Sequence, residues 1–327
     1  MKNLSKYILI ICLLSIALYS RSQPVPASDE NIPHLMTFGC DGETSWGDDD
    51  FSQTFFFKVP LSYSEPFYIR VYDPDTGGEV DEINGVWDTR MSYSVYGGEG
   101  SWSDDDAKGI DPVGNYRSGI LLASKVFGED QRYDDDWYTF GPFNPAEGEK
   151  VDEFGGYIFK IICEGIEGDD GNLYRYFLST DPDENNAIED GNAFTYEYSF
   201  RMWNNSDNVS HIYPYIDTAT IYVKQVNFDW DDDGYIRVVS RVRRGYLAET
   251  SGEDNWVESK IKIDEEEINS SLDFQFIKKK SPLVRNNNVV ISVQNQYGEY
   301  LEFFTVPIGG VPVYNPSLKA NRIEVEK

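Results

Sequence analysis

The strongest constraint on the fold is an alternation of aromatic and polar residues with a period of two. From Phe194 to Met202 an apolar side chain occupies every second position, with polar residues between. Because successive side chains of a β-strand point to opposite faces of its sheet, this pattern predicts strands. No segment shows the 3.6-residue period of an amphipathic helix. Similar runs lie at residues 67–72, 91–96, 173–179, 221–226, 235–242, 257–263 and 289–293.

Short strands separated by Gly, Asp, Asn and Pro are typical of sandwiches and barrels. The sequence therefore predicts an all-β protein with two tandem β-sandwich domains, Ig-like or jelly-roll-like, after a signal peptide. A length of 327 residues fits two domains. The boundary is placed at a turn-rich segment without an apolar stretch. The predicted parts are a flexible lead at 23–33, an acidic domain at 34–180, a linker at 181–191, a second domain at 192–312 and a tail at 313–327.

Residues 1–22 have the composition of a secretory signal peptide. Lys2 and Lys6 precede an apolar run from Tyr7 to Tyr19. A basic start before a short apolar run is typical of such peptides, and the run is shorter than the ~20 residues that span a bilayer. We therefore expect secretion, to the periplasm, the outer membrane or the cell surface, and no transmembrane segment.

The chain is strongly acidic, with 57 acidic against 28 basic residues and a net charge of −29. A field of this sign repels the phosphates of nucleic acids and of anionic lipids. Binding of nucleic acid is excluded on this ground.

Many of the acids are concentrated in Asp-Asp-Asp triplets, at 48–50, 104–106, 134–136 and 231–233. The first two follow closely similar segments that start with Gly-Glu and contain Ser-Trp. Adjacent carboxylates repel one another, and a hard cation such as Ca²⁺ removes that cost by binding their oxygens. We therefore predict calcium ligands among Asp48, Asp49, Asp50, Asp104, Asp105, Asp106, Asp134, Asp135 and Asp136.

The sharpest acidic motif is the segment 229–234. Asp229, Asp231 and Asp233 occupy positions one, three and five, and glycine follows at six, as at the start of a calcium loop. Position twelve is Ser240 instead of Glu, and the flanks have strand patterns, so the segment is not an EF-hand. It predicts a calcium loop that joins two strands. Weaker candidates at 73–77, 167–171 and 181–185 fit ordinary turns better.

Residue types that carry catalysis are sparse. The histidines, His34 and His211, have no zinc-like spacing, and motifs for nucleophilic catalysis or nucleotide binding are missing from the sequence. A carboxylate pair would suffice for glycoside hydrolysis, but the sequence selects none. Cys40 and Cys163 remain after the signal peptide, and either a disulfide between them or two thiols is compatible with an oxidising compartment.

Five stretches carry a resemblance to a known family: GDDGNLYRYFLST at 168–180, GNAFTYEYSF at 191–200, NFDWDDDGY at 227–235, RNNNVV at 285–290 and PIGGVP at 307–312. They resemble the β-domain region of secreted and outer-membrane envelope proteins of the OmpA family. The resemblance spans residues 35–312 and implies an envelope location, without catalytic residues. Too few residues follow Pro312 for that family's peptidoglycan-binding domain, so we do not expect wall anchorage by it.

Together these patterns predict a non-catalytic secreted or cell-envelope module that is stabilised by calcium and binds a protein or cell-surface partner. Two alternatives remain open. One is a glycan-binding sandwich in which tryptophan and tyrosine rings stack on sugars, although most aromatic residues here alternate with polar ones and are expected in the core. The other is a glycoside hydrolase that uses a carboxylate pair.

Overall fold

The computed structural model describes residues 24–47 and 51–314, so the predicted signal peptide lies outside it. The regular secondary structure of the described residues consists of strands and of 3₁₀ turns at Thr44–Trp46, Pro145–Glu147 and Glu265–Glu267, which confirms the all-β class. They contain no helix long and apolar enough to cross a membrane. The strands are β1 (Pro24–Val25), β2 (His34–Phe38), β3 (Ser52–Pro60), β4 (Phe67–Tyr72), β5 (Arg90–Gly97), β6 (Ile120–Phe127), β7 (Trp137–Phe143), β8 (Glu149–Val151), β9 (Gly156–Glu167), β10 (Gly171–Ser179), β11 (Asn192–Thr195), β12 (Glu197–Arg201), β13 (Val209–Ile212), β14 (Tyr215–Ile216), β15 (Tyr222–Phe228), β16 (Gly234–Val239), β17 (Tyr246–Ala248), β18 (Trp256–Lys262), β19 (Ser270–Ser271), β20 (Asp273–Lys278), β21 (Asn288–Asn295) and β22 (Phe303–Phe304).

The described strands form antiparallel sheets. A nine-stranded sheet has the order β18-β15-β21-β12-β2-β10-β4-β7, and β1 also pairs with β10. A seven-stranded sheet has the order β22-β11-β3-β9-β5-β6, and β8 also pairs with β9. A four-stranded sheet, β13-β20-β16-β17, and the pair β14-β19 complete the fold.

The seven-stranded sheet packs face to face on the nine-stranded sheet, as in a sandwich. The ring of Phe55 in β3 lies edge-on to Tyr176 in β10 and Tyr198 in β12, with centroids 5.7 and 5.4 Å apart. All three side chains are fully buried. Such aromatic contacts contribute more than their buried area alone, and they tie the two sheets together.

The four-stranded sheet covers another part of the same nine-stranded sheet. Phe200, two residues after Tyr198 in β12 and therefore on the same face, contacts Phe276 of β20 with centroids 5.3 Å apart. One buried cluster includes Phe55, Tyr198, Phe200 and Phe276. The core is therefore continuous across both facing sheets.

This continuity corrects the predicted division into two domains. β11 pairs with β3 and β12 pairs with β2, so strands on either side of 181–191 share sheets. The segment itself is a loop that buries Ile188 completely. Residues 34–180 and 192–312 are thus not separate tandem domains. Turn residues mark where a strand ends, but they do not reveal whether the next strand rejoins the same sheet.

The aromatic run at 194–202 changes sheets in its middle. β11 pairs within the seven-stranded sheet and β12 within the nine-stranded sheet, and Tyr196 lies between them. Both faces of this segment are covered, since polar Thr195 and Ser199 are buried as well as the aromatic residues. The alternation predicted the strand conformation correctly, but a period of two contains no information about the sheet that a residue joins.

The predicted flexible lead at 23–33 is ordered where it is described. Val25 pairs with Tyr176 of β10 and is fully buried, and Ile32 is nearly so. The prediction was wrong because burial of these apolar side chains outweighs the turn-rich composition around them.

Cys40 and Cys163 are not joined by a disulfide. Cys40 is exposed, whereas Cys163 is buried in β9, where it lies opposite Tyr93 of β5. Of the two alternatives, the structure therefore has thiols.

Candidate ligand cleft and acidic loops

A cleft of about 580 Å³ opens where five connecting segments meet. These segments join β2 to β3, β4 to β5, β9 to β10, β15 to β16 and β20 to β21, so residues far apart in the chain become neighbours. Loops carried on a rigid sandwich are common places for binding sites. The carboxylates that line this cleft are Asp81, Glu82, Asp169, Asp229 and Asp231.

The predicted calcium loop joins β15 to β16, as expected, but it does not gather its three acids. Asp229 and Asp231 line the cleft, and both have left-handed backbone conformations, with φ of 55° and 58°. Between them Trp230 is fully buried, with its ring 5.5 Å from that of Phe276. Burial of this ring fixes the loop in the core, with Asp229 and Asp231 placed at the cleft.

Asp233 points away from the cleft into a buried ion pair. Its Oδ2 lies 2.9 Å from Nζ of Lys278, and both side chains are 0% exposed. Lys278 neutralises the charge that a cation was predicted to neutralise. Because Lys278 lies far along the chain in β20, spacing within the loop did not reveal it.

Burial and like charge act on the two acids that face the cleft. Burial raises the pKa of Asp229 to about 7, and Asp231 and Glu253 add to the rise. The Asp254 N–H, which donates to Asp229 Oδ1 at 3.0 Å, opposes it. Burial also raises the pKa of Asp231, whose Oδ2 accepts a 2.6 Å hydrogen bond from Nδ2 of Asn287. Both carboxylates would gain from a cationic partner.

Two more carboxylates of the cleft are fixed by the protein itself. Glu82 forms a 2.7 Å ion pair with Arg201, which is nearly buried. Asp81 accepts hydrogen bonds from the N–H groups of Leu173 and Gly77, at 2.7 and 3.0 Å. The contacts with Leu173 and Arg201 position the loop between β4 and β5 against β10 and β12.

The opposite wall is formed by the segment 284–288 and by Trp46. Asn288 donates from Nδ2 to the Trp46 carbonyl at 2.8 Å, which holds the two segments together. Arg285 is the basic residue of the lining. In the sequence this asparagine-rich stretch stands out only as part of a resemblance, because its polar residues show no periodic pattern.

Two acids of a segment that the sequence assigned to a turn, Asp169 and Asp170, lie close to a third acid, Asp88. Within residues 24–47 and 51–314, one group of three acidic side chains has carboxylate oxygens that all lie within 4.8 Å of one another. Its members are Asp88, Asp169 and Asp170. Asp170 is buried and accepts from the N–H groups of Asn84, Asp88 and Thr89 at 2.9–3.1 Å. Its hydrogen bonds thus already hold the loop that leads to β5.

The triplet 104–106 forms a self-contained surface turn, while 48–50 lies outside the described residues. Asp104 Oδ2 and Asp106 Oδ2 accept from the side-chain and backbone nitrogens of Asn115, both at 2.8 Å. Hydrogen bonds from the Asp106 N–H and Asn115 lower the pKa of Asp104. Asp105 and Asp106 are exposed, so water and the loop satisfy these carboxylates.

The triplet 134–136 lies beside the loop that contains Asp73. Asp135 accepts from the Tyr72 hydroxyl at 2.9 Å and donates its N–H to Asp73 Oδ1 at 3.2 Å. The Asp136 carbonyl accepts from the Asp73 N–H at 2.9 Å. The structure therefore joins a predicted triplet to a segment that the sequence assigned to an ordinary turn.

A second cleft, of about 420 Å³, has aromatic walls. Glu302 lines this cleft, and its Oε1 accepts from the hydroxyl of the buried Tyr196 at 3.1 Å. The Tyr196 hydroxyl in turn accepts from the Trp102 indole N–H at 2.8 Å. Burial raises the pKa of Glu302. The aromatic lining residues are Phe154, Tyr215, Tyr300 and Phe304.

Comparison with known proteins does not assign the chain to a family. No family model and no curated protein matches it. A solved structure of the Macrobrachium rosenbergii nodavirus is 8% identical over 81% of this chain and 88% of that chain, with a TM-score of 0.14. A TM-score this low carries no argument about fold or function.

Proposed function

We propose that the chain is an exported, non-catalytic binding module whose acidic cleft receives positively charged groups of a protein or cell-surface partner. The observation that carries this proposal is the convergence of five carboxylates from three loops on one cleft. A lysine or arginine side chain that enters the cleft would meet Asp229 and Asp231. Asp233 has Lys278 at 2.9 Å, whereas Asp229 and Asp231 have no basic side chain this close among the described residues.

The charge of the whole chain supports the same partner. A net charge of −29 attracts cations over long distances, and loops of one sign raise the rate at which an oppositely charged partner arrives. Export is supported by the basic start and short apolar run of residues 1–22.

Calorimetric titration with a lysine tetrapeptide tests this function. The double change Asp229→Asn and Asp231→Asn should weaken binding by about tenfold, because it removes the two carboxylates nearest to an entering cation. A matched control, Asp105→Asn with Asp106→Asn, removes two carboxylates from an exposed loop outside the cleft, and both titrations are run at pH 8, above the pKa of Asp229. Equal weakening by both double variants would indicate a general field effect and would reject the cleft as the binding site.

The aromatic cleft supports a second candidate function, the binding of a neutral glycan. Half-buried rings such as Tyr215 and Tyr300 can stack on sugars, while Glu302 and Asn192 can bind hydroxyl groups. On a glycan array, Tyr300→Ala should abolish any signal, whereas Tyr297→Ala, at a side chain that is 71% exposed and outside the cleft, should not. Absence of signal for the unmodified protein would exclude this candidate.

A further inference from the structure

Two loops on one side of the sandwich are tied together through their acidic residues. The loop between β4 and β5 contains Asp73 and Asp75, and the loop between β6 and β7 contains Asp130 and Asp134. The N–H of Asp130 donates to Asp75 Oδ2 at 2.8 Å, and the Asp73 N–H donates to the Asp136 carbonyl at 2.9 Å. Carboxylates of one loop are thereby held against the other.

Asp75 and Asp134 approach each other over a glycine. A Cβ atom built on Gly77 would lie 3.1 Å from Oδ1 of Asp134 and 3.8 Å from Oδ2 of Asp75. A Cβ atom on Gly78, where φ is +70°, would lie 3.4 Å from Cγ of Asp134. The two glycines thus leave the space into which both carboxylates project.

One carboxylate oxygen of Asp75 has no hydrogen-bond partner. Asp75 is 0% exposed, and its Oδ1 is buried without a donor. A buried acceptor without a donor destabilises the fold unless another group satisfies it. The Asp130 N–H already donates to the other oxygen of Asp75, so Oδ1 is the atom that a ligand would satisfy.

The charges next to Asp73 and Asp75 are other carboxylates. Burial raises the pKa of Asp73 to about 7, and Asp75, Asp135 and Asp134 raise it further. Burial likewise raises the pKa of Asp75 to about 6, with a contribution from Asp134. The nearby Arg132 is directed to Asp130, with its Nε 2.9 Å from Oδ1 of that residue. The cluster therefore lacks a protein cation at its centre.

We propose that Asp73, Asp75 and Asp134 bind a calcium ion between these two loops. Calcium prefers oxygen ligands at roughly 2.3–2.6 Å and accepts carboxylates together with backbone carbonyls and water. The oxygens of the three side chains do not all lie within 4.8 Å of one another, so binding includes a rotation of the half-buried Asp134 toward Asp75. The ion joins the β4–β5 loop to the β6–β7 loop and satisfies Asp75 Oδ1.

Thermal unfolding of the full chain with and without calcium tests the site. At 2 mM CaCl₂ we expect the Tm to rise by at least about 3 °C, because a ligand that binds only the folded state stabilises it. Asp75→Asn should remove this rise, and without calcium its Tm should equal or exceed that of the unmodified protein, since a repulsive charge is lost. Asp105→Asn, the same change in an exposed triplet, should keep the full rise.

A second variant and a second measurement keep the test decisive. Asp134→Asn changes a less buried ligand, so it can be studied if Asp75→Asn does not fold, and it should lower the calcium affinity measured by calorimetry at least tenfold. An unchanged Tm of the unmodified protein in calcium would overturn the site. So would a calcium response that survives both changes but is lost in Asp169→Asn, which would place the ion at Asp88, Asp169 and Asp170.

Discussion

Asp233 and Lys278 form an ion pair that is fully withdrawn from solvent, with Oδ2 2.9 Å from Nζ. Around the pair, Lys278 donates to the Val284 carbonyl at 2.6 Å, and Asp233 Oδ1 accepts from the Val284 N–H at 3.2 Å. The pair therefore holds the start of the 284–288 wall against the loop that carries Asp229 and Asp231. A buried ion pair thus organises two sides of the acidic cleft.

Removal of one partner of this ion pair should lower the free energy of unfolding. In Lys278→Met the carboxylate of Asp233 is left buried without a counter-charge, so we expect a loss of about 3–5 kcal/mol in the free energy of unfolding. Adding Asp233→Asn to that variant should recover part of the loss. Urea unfolding measures both, with the exposed Lys280→Met as control, and a loss under about 1 kcal/mol for Lys278→Met would contradict the assignment.

Glu30 should make stability depend on pH. Burial raises its pKa to about 8, despite hydrogen bonds from Ala27 N–H and Tyr198 hydroxyl, so the folded state keeps the proton that the unfolded state loses near pH 4.5. Stability from this group is therefore complete below pH 4.5 and is lost progressively as the pH rises toward 8. Glu30→Gln should flatten the fall in Tm between these limits, whereas Glu65→Gln, at an exposed site, should leave it unchanged.

Binding at the acidic cleft should strengthen with pH. The pKa of Asp229 is raised to about 7 by burial and by Asp231, Glu253 and Asp254, so this carboxylate gains its charge near neutrality. A lysine tetrapeptide should bind several-fold more tightly at pH 8 than at pH 5.5. Asp229→Asn should remove most of that difference in a calorimetric titration. If the pH dependence of binding persists in this variant, titratable groups other than Asp229 cause it.

The continuous core predicts a single unfolding transition. Phe55 contacts Tyr176 and Tyr198, which lie on either side of 181–191, so loss of one predicted half exposes the core of the other. Calorimetric and van't Hoff enthalpies should agree. Phe55→Ala should cost about 3–5 kcal/mol and should move the entire transition. Two resolved transitions would instead support independent units.

The sequence predicted local conformation well because strand alternation is a local property. The run at 194–202 was recognised as extended from its own residues, yet only the structure reveals that β11 and β12 join different sheets at Tyr196. Likewise, the turn composition of 181–191 located a true loop. Pairing between β12 and β2 depends on residues far away in the chain, which no local pattern reports.

Prediction of the sites was limited in the same way, because local patterns do not report contacts with distant segments. Asp229 and Asp231 were singled out and do line a cleft, but Lys278 and Asn287, which decide what the neighbouring acids do, come from distant segments. Asp75 was assigned to an ordinary turn, since its approach to Asp134 arises only when the two loops are packed together. Spacing along a chain indicates candidate ligands, whereas their counter-charges are set by the tertiary structure.

The change of sheets at Tyr196 has a mechanical consequence. Since β11 and β12 are covalently continuous but paired in opposite layers, the layers cannot slide past each other without breaking backbone pairing on both sides at once. A force applied through a partner bound in the cleft would therefore act on both sheets together.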